Sequence, residues 1–108
     1  MSDAETNEHD FDAPIPPASF SFIVLSLRTQ AEMQLGLLHF GEEEKPQPDL
    51  RMARHSIDLL AMLMDKTKGN LTLEEQRMLE NSLTELRFRF VQVSDELQKT
   101  PPAEPAND

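Results

Sequence analysis

The chain has 108 residues, 28% of them charged, a formal net charge of −10 and no cysteine. That length holds one domain, and the missing cysteines exclude a disulfide framework, a thiolate nucleophile and a Cys-ligated zinc site. Residues 1–18 carry five acids and no base, residues 100–108 carry two acids, and residues 19–99 carry 13 acids and all 10 bases, so no region offers the concentrated basic face that nucleic acid requires.

The N-terminal stretch MSDAETNEHDFD is acidic and lacks the basic start and apolar run of a secretory signal. With Pro14, Pro16 and Pro17 following it, residues 1–18 read as a disordered tail. The first helix is predicted from Phe20 to His39, with Ser19 as its N-cap. Its early part, FSFIVLSL, has the Phe, Ile and Val content of a strand. It continues without a turn signal into the helix formers of RTQAEMQLGLL, so helix is the better reading. This apolar run falls far short of the roughly 20 residues that a membrane span needs. Gly36 should weaken the last turns, and Gly41 should mark the exit.

The loop GEEEKPQPD follows, where Pro46 and Pro48 forbid regular helix. Asp49 can cap a second helix of about residues 50–68. Leu50, Ala53, Ile57, Leu60 and Met64 form its apolar stripe, widened by Met52, Leu59 and Leu63. Arg51, Arg54, Asp58 and Asp65 lie opposite, with Met62 the one large apolar residue among them. Lys66 and Lys68 suit the negative end of that helix's dipole, and Gly69 can end it. Thr72 and Glu75 then form a T-x-x-E capping box for a third helix over residues 73–99. The short linker makes the two helices an antiparallel hairpin.

The third helix carries a heptad seam of Leu79, Leu83, Leu86, Phe90, Val93 and Leu97. It should be about 40 Å long, against about 30 Å for the second helix. Val93 and Leu97 should therefore reach past the second helix and need cover from the first helix, the loop or another subunit. The Pro-rich residues 100–108 read as a second disordered tail.

On the first helix, Phe20, Val24, Leu27, Ala31, Leu35 and Leu38 form an apolar arc suited to docking on the hairpin. Arg28, Glu32 and His39 mark a narrow charged arc. The remaining arc holds Phe22, Ile23, Ser26, Thr29, Gln30, Met33, Gln34, Leu37 and Phe40, and no charge. Aromatic and Met side chains without charges are the composition of an interface core. The same composition also fits a face buried beneath the loop or the far end of the third helix, and both readings stand on sequence alone. Phe22, Ser26, Thr29, Gln30, Met33, Gln34 and Leu37, with Val93 and Leu97, are the candidate interface.

Residues suited to chemistry are few. His55 and Asp58 on the second helix form the alternative site, as a general base or ligand pair. His39 with Glu42, Glu43 and Glu44 lacks a recognised metal-ligand spacing, and His9 lies in the tail. Arg87 and Arg89 interleave with Phe88 and Phe90, which on a strand would suggest a nucleic-acid platform. On a helix the two kinds of residue separate. Arg28, Arg51, Arg54, Arg87 and Arg89 can line an anion pocket, although Asp58 lies one turn from Arg54, and Glu85 one turn from Arg89, as local ion-pair partners. No cofactor or metal is expected.

The stretches SLRTQAEMQLG (Ser26 to Gly36), ARHSIDLLAMLMDKTKGNLT (Ala53 to Thr72) and LRFRFVQ (Leu86 to Gln92) resemble a small bacterial family, domain of unknown function 1844. Its members typically show Ser-Leu-x-Thr-Gln-x-x-x-Gln-Leu-Gly, then His-x-Ile-Asp-Leu-Leu leading to Thr-Lys-Gly-Asn-Leu. The resemblance spans about residues 20–93 and implies a bacterial, cytosolic, helical protein of no assigned activity. It draws attention to Gln30, Gln34, His55 and Asp58, which fall within the matching motifs.

The expected protein is all-α: a three-helix domain over residues 19–99, built on an antiparallel hairpin, between disordered tails. Its expected role is a non-enzymatic, cytoplasmic interaction domain that self-associates, a dimer foremost, or binds another protein, but neither nucleic acid nor membrane. The alternatives are a small helical enzyme or ligand-binding protein using His55 and Asp58, and a regulatory subunit acting through acidic tails.

Overall fold

The computed structural model describes residues 14–38 and 46–99. They form three helices, α1 (Phe20–Gln34), α2 (Leu50–Lys66) and α3 (Leu73–Lys99), with no strand among the described residues. FSFIVLSL is thus helical. Residues 14–18 are irregular and exposed. The rest of the two tails, and His39 to Lys45 with the expected exit at Gly41, lie outside the described residues.

Each helix begins at the residue its cap dictates. The Ser19 hydroxyl accepts from the Phe22 N–H at 3.1 Å, and the Asp49 carboxylate accepts from the Met52 N–H at 3.1 Å. At α3 the capping box closes in both directions. The Thr72 N–H donates to Glu75 at 2.9 Å, and the Glu75 N–H donates to the Thr72 hydroxyl at 3.1 Å.

The exit of α1 corrects the expectation from sequence. The helix stops at Gln34, not His39, because Gly36 adopts φ +78° and terminates it. The Gly36 N–H donates to the Met33 carbonyl at 3.0 Å, and the Leu37 N–H reaches the Glu32 carbonyl at 2.9 Å. These two bonds are a Schellman motif, which uses glycine's freedom at positive φ. A second constraint holds Gly36. A Cβ there would lie 3.0 Å from the Pro46 carbonyl oxygen, so the returning loop leaves no space for a side chain. The Asp49 N–H then donates to the Gln34 carbonyl at 2.7 Å, so α2 starts beside the end of α1. At the other end, α2 closes at Lys66 rather than Lys68, with Gly69 at φ +80° in the turn.

All three helix pairs touch, around one core. Val24, Ala31 and Leu35 come from α1 and its C-cap, Ala53, Ile57 and Leu60 from α2, and Leu79, Leu83, Leu86 and Val93 from α3. Burying each leucine contributes about 1.5–3 kcal/mol. The docking arc predicted for the first helix is the one buried. Val93, expected to need cover from the first helix, the loop or another subunit, is 8% exposed within a single chain, whereas Leu97 is 37% exposed. The far end of α3 lies at the end of the hairpin where α1 stops and α2 starts. Leu37 and Leu50, both at that end, pack against the same core, so only the last seam residue reaches past its cover. Among the described residues, no helix is long and apolar enough to cross a membrane.

Candidate interaction surface

The uncharged arc of α1 faces solvent. Phe22, Ile23, Ser26, Gln30 and Met33 are exposed, while Thr29 and Gln34 are half-buried, and Leu25, which the sequence did not place on this arc, is exposed beside them. Phe22 is 44% and Met33 49% exposed. The sequence left open whether this arc was core; in the single chain it is surface. It encloses a shallow groove of about 520 Å³, lined by Phe22, Leu25, Ser26, Thr29, Gln30, Met33 and Gln34. Leu37 does not belong to it, because the helix has ended and Leu37 packs against the core. Phe40 and His39 lie outside the described residues.

One edge of this face is pinned to the hairpin. Ser56 of α2 is fully buried. Its hydroxyl accepts from the Gln30 amide at 2.9 Å and donates to the Gln34 amide oxygen at 2.6 Å. A buried hydroxyl needs partners, and two glutamines one turn apart supply both kinds. Each glutamine keeps one polar atom free of Ser56: the Gln30 amide oxygen and the Gln34 amide nitrogen. Both residues line the groove, which therefore has an ordered acceptor and an ordered donor on its pinned side. Sequence reading picked out Gln30 and Gln34 but missed Ser56. The available signal was a serine on the apolar side of an otherwise well-patterned helix.

The Ser56 contact also sets what borders the face. Met52, Ser56, Leu59 and Leu63 follow one another at helical spacing and form one stripe of α2. That stripe touches Gln30 and Gln34 at Ser56, and it carries exposed Met52 and half-buried Leu59. The charge-free surface of α1 thus continues onto α2. Flanking the face beyond Leu25, Arg28 donates to Glu32 at 3.1 Å, and the two charges neutralise each other. This pair is half-buried, so the arc expected to be most solvated is less open than the uncharged one.

The alternative site has a different geometry. His55 and Asp58 are both exposed on the outer side of α2. Neither lines the groove on α1 nor the second hollow, of about 420 Å³, at the α2–α3 turn. That second hollow has an apolar floor of Ala61, Met64 and Leu71, and sequence reading did not foresee it. Of the two expected local pairs, Arg89–Glu85 forms at 3.1 Å. Arg54 and Asp58 do not pair among the described residues; both are exposed, where water solvates each charge well. No group of three metal-ligating side chains occurs among the described residues.

The RFRF stretch also gives an exposed pair that the sequence did not put together. Phe88 and Val91 stand one turn apart on the outer face of α3, at 59% and 57% exposure. Their surroundings differ from those of Phe22: Arg87, Asp95 and the Arg89–Glu85 ion pair lie on the same stretch of helix.

Comparisons with known proteins bear on the whole domain. No curated protein and no solved structure matches the chain. A family model described as a domain of unknown function (DUF1844) matches residues 17–92. That span takes in α1, α2 and α3 as far as Gln92, and on this match the chain belongs to the DUF1844 family.

Proposed function

We propose that this is a non-enzymatic interaction domain of the bacterial cytoplasm, and that the outer face of α1 is its contact surface. The observation that carries the reading is the absence of charge across an exposed face bearing Phe22, Leu25 and Met33. More than a quarter of the chain is charged, so a solvent-facing helical surface without Lys, Arg, Asp or Glu departs from the rest of the molecule. Charge depletion with aromatic and Met side chains is what distinguishes the core of a protein contact from ordinary surface. The Gln30–Ser56–Gln34 bonds fix that face against the hairpin, so contact does not require ordering it first.

Met33→Glu tests the reading against Phe88→Glu. Both substitutions place a carboxylate at an exposed apolar position. Affinity capture under native conditions should lose its specific partner, whether another protein or another copy, with Met33→Glu and keep it with Phe88→Glu. Equal recovery with both variants would overturn the proposal.

A further inference from the structure

We infer that the occupant of the α1 face is a second copy of the chain, packed with the two α1 helices antiparallel about a two-fold axis level with Leu27 and Arg28. This rests on the reading of α1 as the contact surface and adds the partner and its orientation.

The residue order on the face carries the inference. Along the exposed side run Phe22, Leu25, Ser26, Thr29, Gln30 and Met33. In antiparallel helices, residues that face each other across a two-fold axis have numbers with a constant sum. With the axis between Leu27 and Arg28, Ser26 meets the partner's Thr29 and Phe22 meets the partner's Met33, while Leu25 and Gln30 lie on opposite flanks of the contact. The pattern is large, small, small, large, and it reads alike from either end. Small hydroxyl residues at the centre let the helices approach closely. The large ends then close over the gap, with each Phe22 ring beside a methionine sulfur, a favourable contact. Ser26 and Thr29 can exchange a hydrogen bond at the centre, where both would otherwise lose water. A closed two-fold contact of this kind uses one patch twice and leaves no open end.

Charge selects the same occupant and the same direction. Seven of the chain's ten net negative charges lie in residues 1–18 and 100–108, and residues 19–99 carry a net −3, so two copies repel chiefly through their terminal segments and weakly elsewhere. The α1 face has no ionisable group and can meet its own image without that penalty. Five acids and no base precede α1 in the sequence. A parallel pair would bring both of these approaches to one end. An antiparallel pair separates them by the length of α1, about 22 Å, and opposes the two helix dipoles.

The absence of cysteine makes the test clean. Ser26→Cys, Phe22→Cys and Met33→Cys variants of the full chain would be oxidised singly and as a mixture of the last two. All three positions are exposed, so folding is retained. Ser26→Cys sits close to the axis and should cross-link with itself. Phe22 and its own copy would stand about 16 Å apart along the helix axis, beyond the roughly 7 Å that a disulfide spans. Phe22→Cys and Met33→Cys should therefore stay monomeric alone and cross-link when mixed. Self-cross-linking of Phe22→Cys and of Met33→Cys would show a parallel pair and overturn the orientation. No cross-link in any combination, with a chain that sediments as a monomer at high micromolar concentration, would overturn the second copy as partner. If native capture still depended on Met33 in that case, the contact surface would stand with a different protein on it.

Discussion

The outer faces of α1 and α3 both expose an aromatic ring, and they differ in the company it keeps. Phe88 is more exposed than Phe22, yet Phe88 stands among Arg87, Asp95 and an Arg89–Glu85 ion pair, while Phe22 shares its face with Leu25, Ser26, Thr29 and Met33. An exposed hydrophobe is common on any protein surface, because polar atoms are too few to cover it. The absence of charge around one is the rarer condition. Exposure alone ranks the α3 face first as an interaction surface, whereas charge depletion ranks the α1 face first. The second difference is hydrogen bonding to a neighbouring helix. The α1 face is tied by two side-chain hydrogen bonds to a buried serine, whereas the outer face of α3 has only an exposed ion pair of small energetic weight.

Several substitutions would break or sharpen this contrast. The largest effect belongs to the core. Leu83→Ala should cost about 2–5 kcal/mol in denaturant unfolding, and it sets the scale for the rest. If Met33→Glu cost as much, the α1 face would be interior and the contrast would vanish. Ser56→Ala should cost about 1–2 kcal/mol, because it removes two hydrogen bonds, partly repaid by water reaching the glutamines. It should also loosen the α1 face and leave that of α3 unchanged, as read by amide and side-chain NMR. Ser82 is buried like Ser56 but has no hydrogen-bond partner among the described residues. Ser82→Ala should stabilise the fold by about 0.5 kcal/mol, since alanine favours helix and leaves nothing unpaired. Met33→Glu and Phe88→Glu should each shift stability by less than about 0.5 kcal/mol, and they should differ only in association.

Most of the fold was legible because helices depend on local signals. Ser19, Asp49 and the Thr72–Glu75 box each mark a helix start, and all three are where backbone N–H groups need acceptors. The heptad seam of α3 and the docking arc of α1 followed from periodicity. Helix ends were harder. Gly36 and Gly41 were equivalent by residue type, and the Pro46 carbonyl that crowds Gly36 returns from ten positions along the chain, a contact that is tertiary. The cover over Val93 depended on where the α1–α2 loop begins and ends, which is a tertiary fact. Within the site, composition located the face, but its exposure could not be read, since uncharged helical arcs serve equally as core. Ser56 was missed for a related reason. A buried hydroxyl is stable only through partners on another helix, and sequence does not register helices against each other.

Methionine oxidation tests the central claim, that the α1 face is covered in the working protein, most directly. Met33 and Met62 are 49% and 45% exposed in the single chain, so a lone molecule should react with peroxide at nearly equal rates at the two positions. With the protein at its native concentration in lysate, peptide mass spectrometry should find Met33 oxidised several-fold more slowly than Met62, and this protection should disappear on dilution of the purified chain. Equal rates at the two methionines under native conditions would contradict the account.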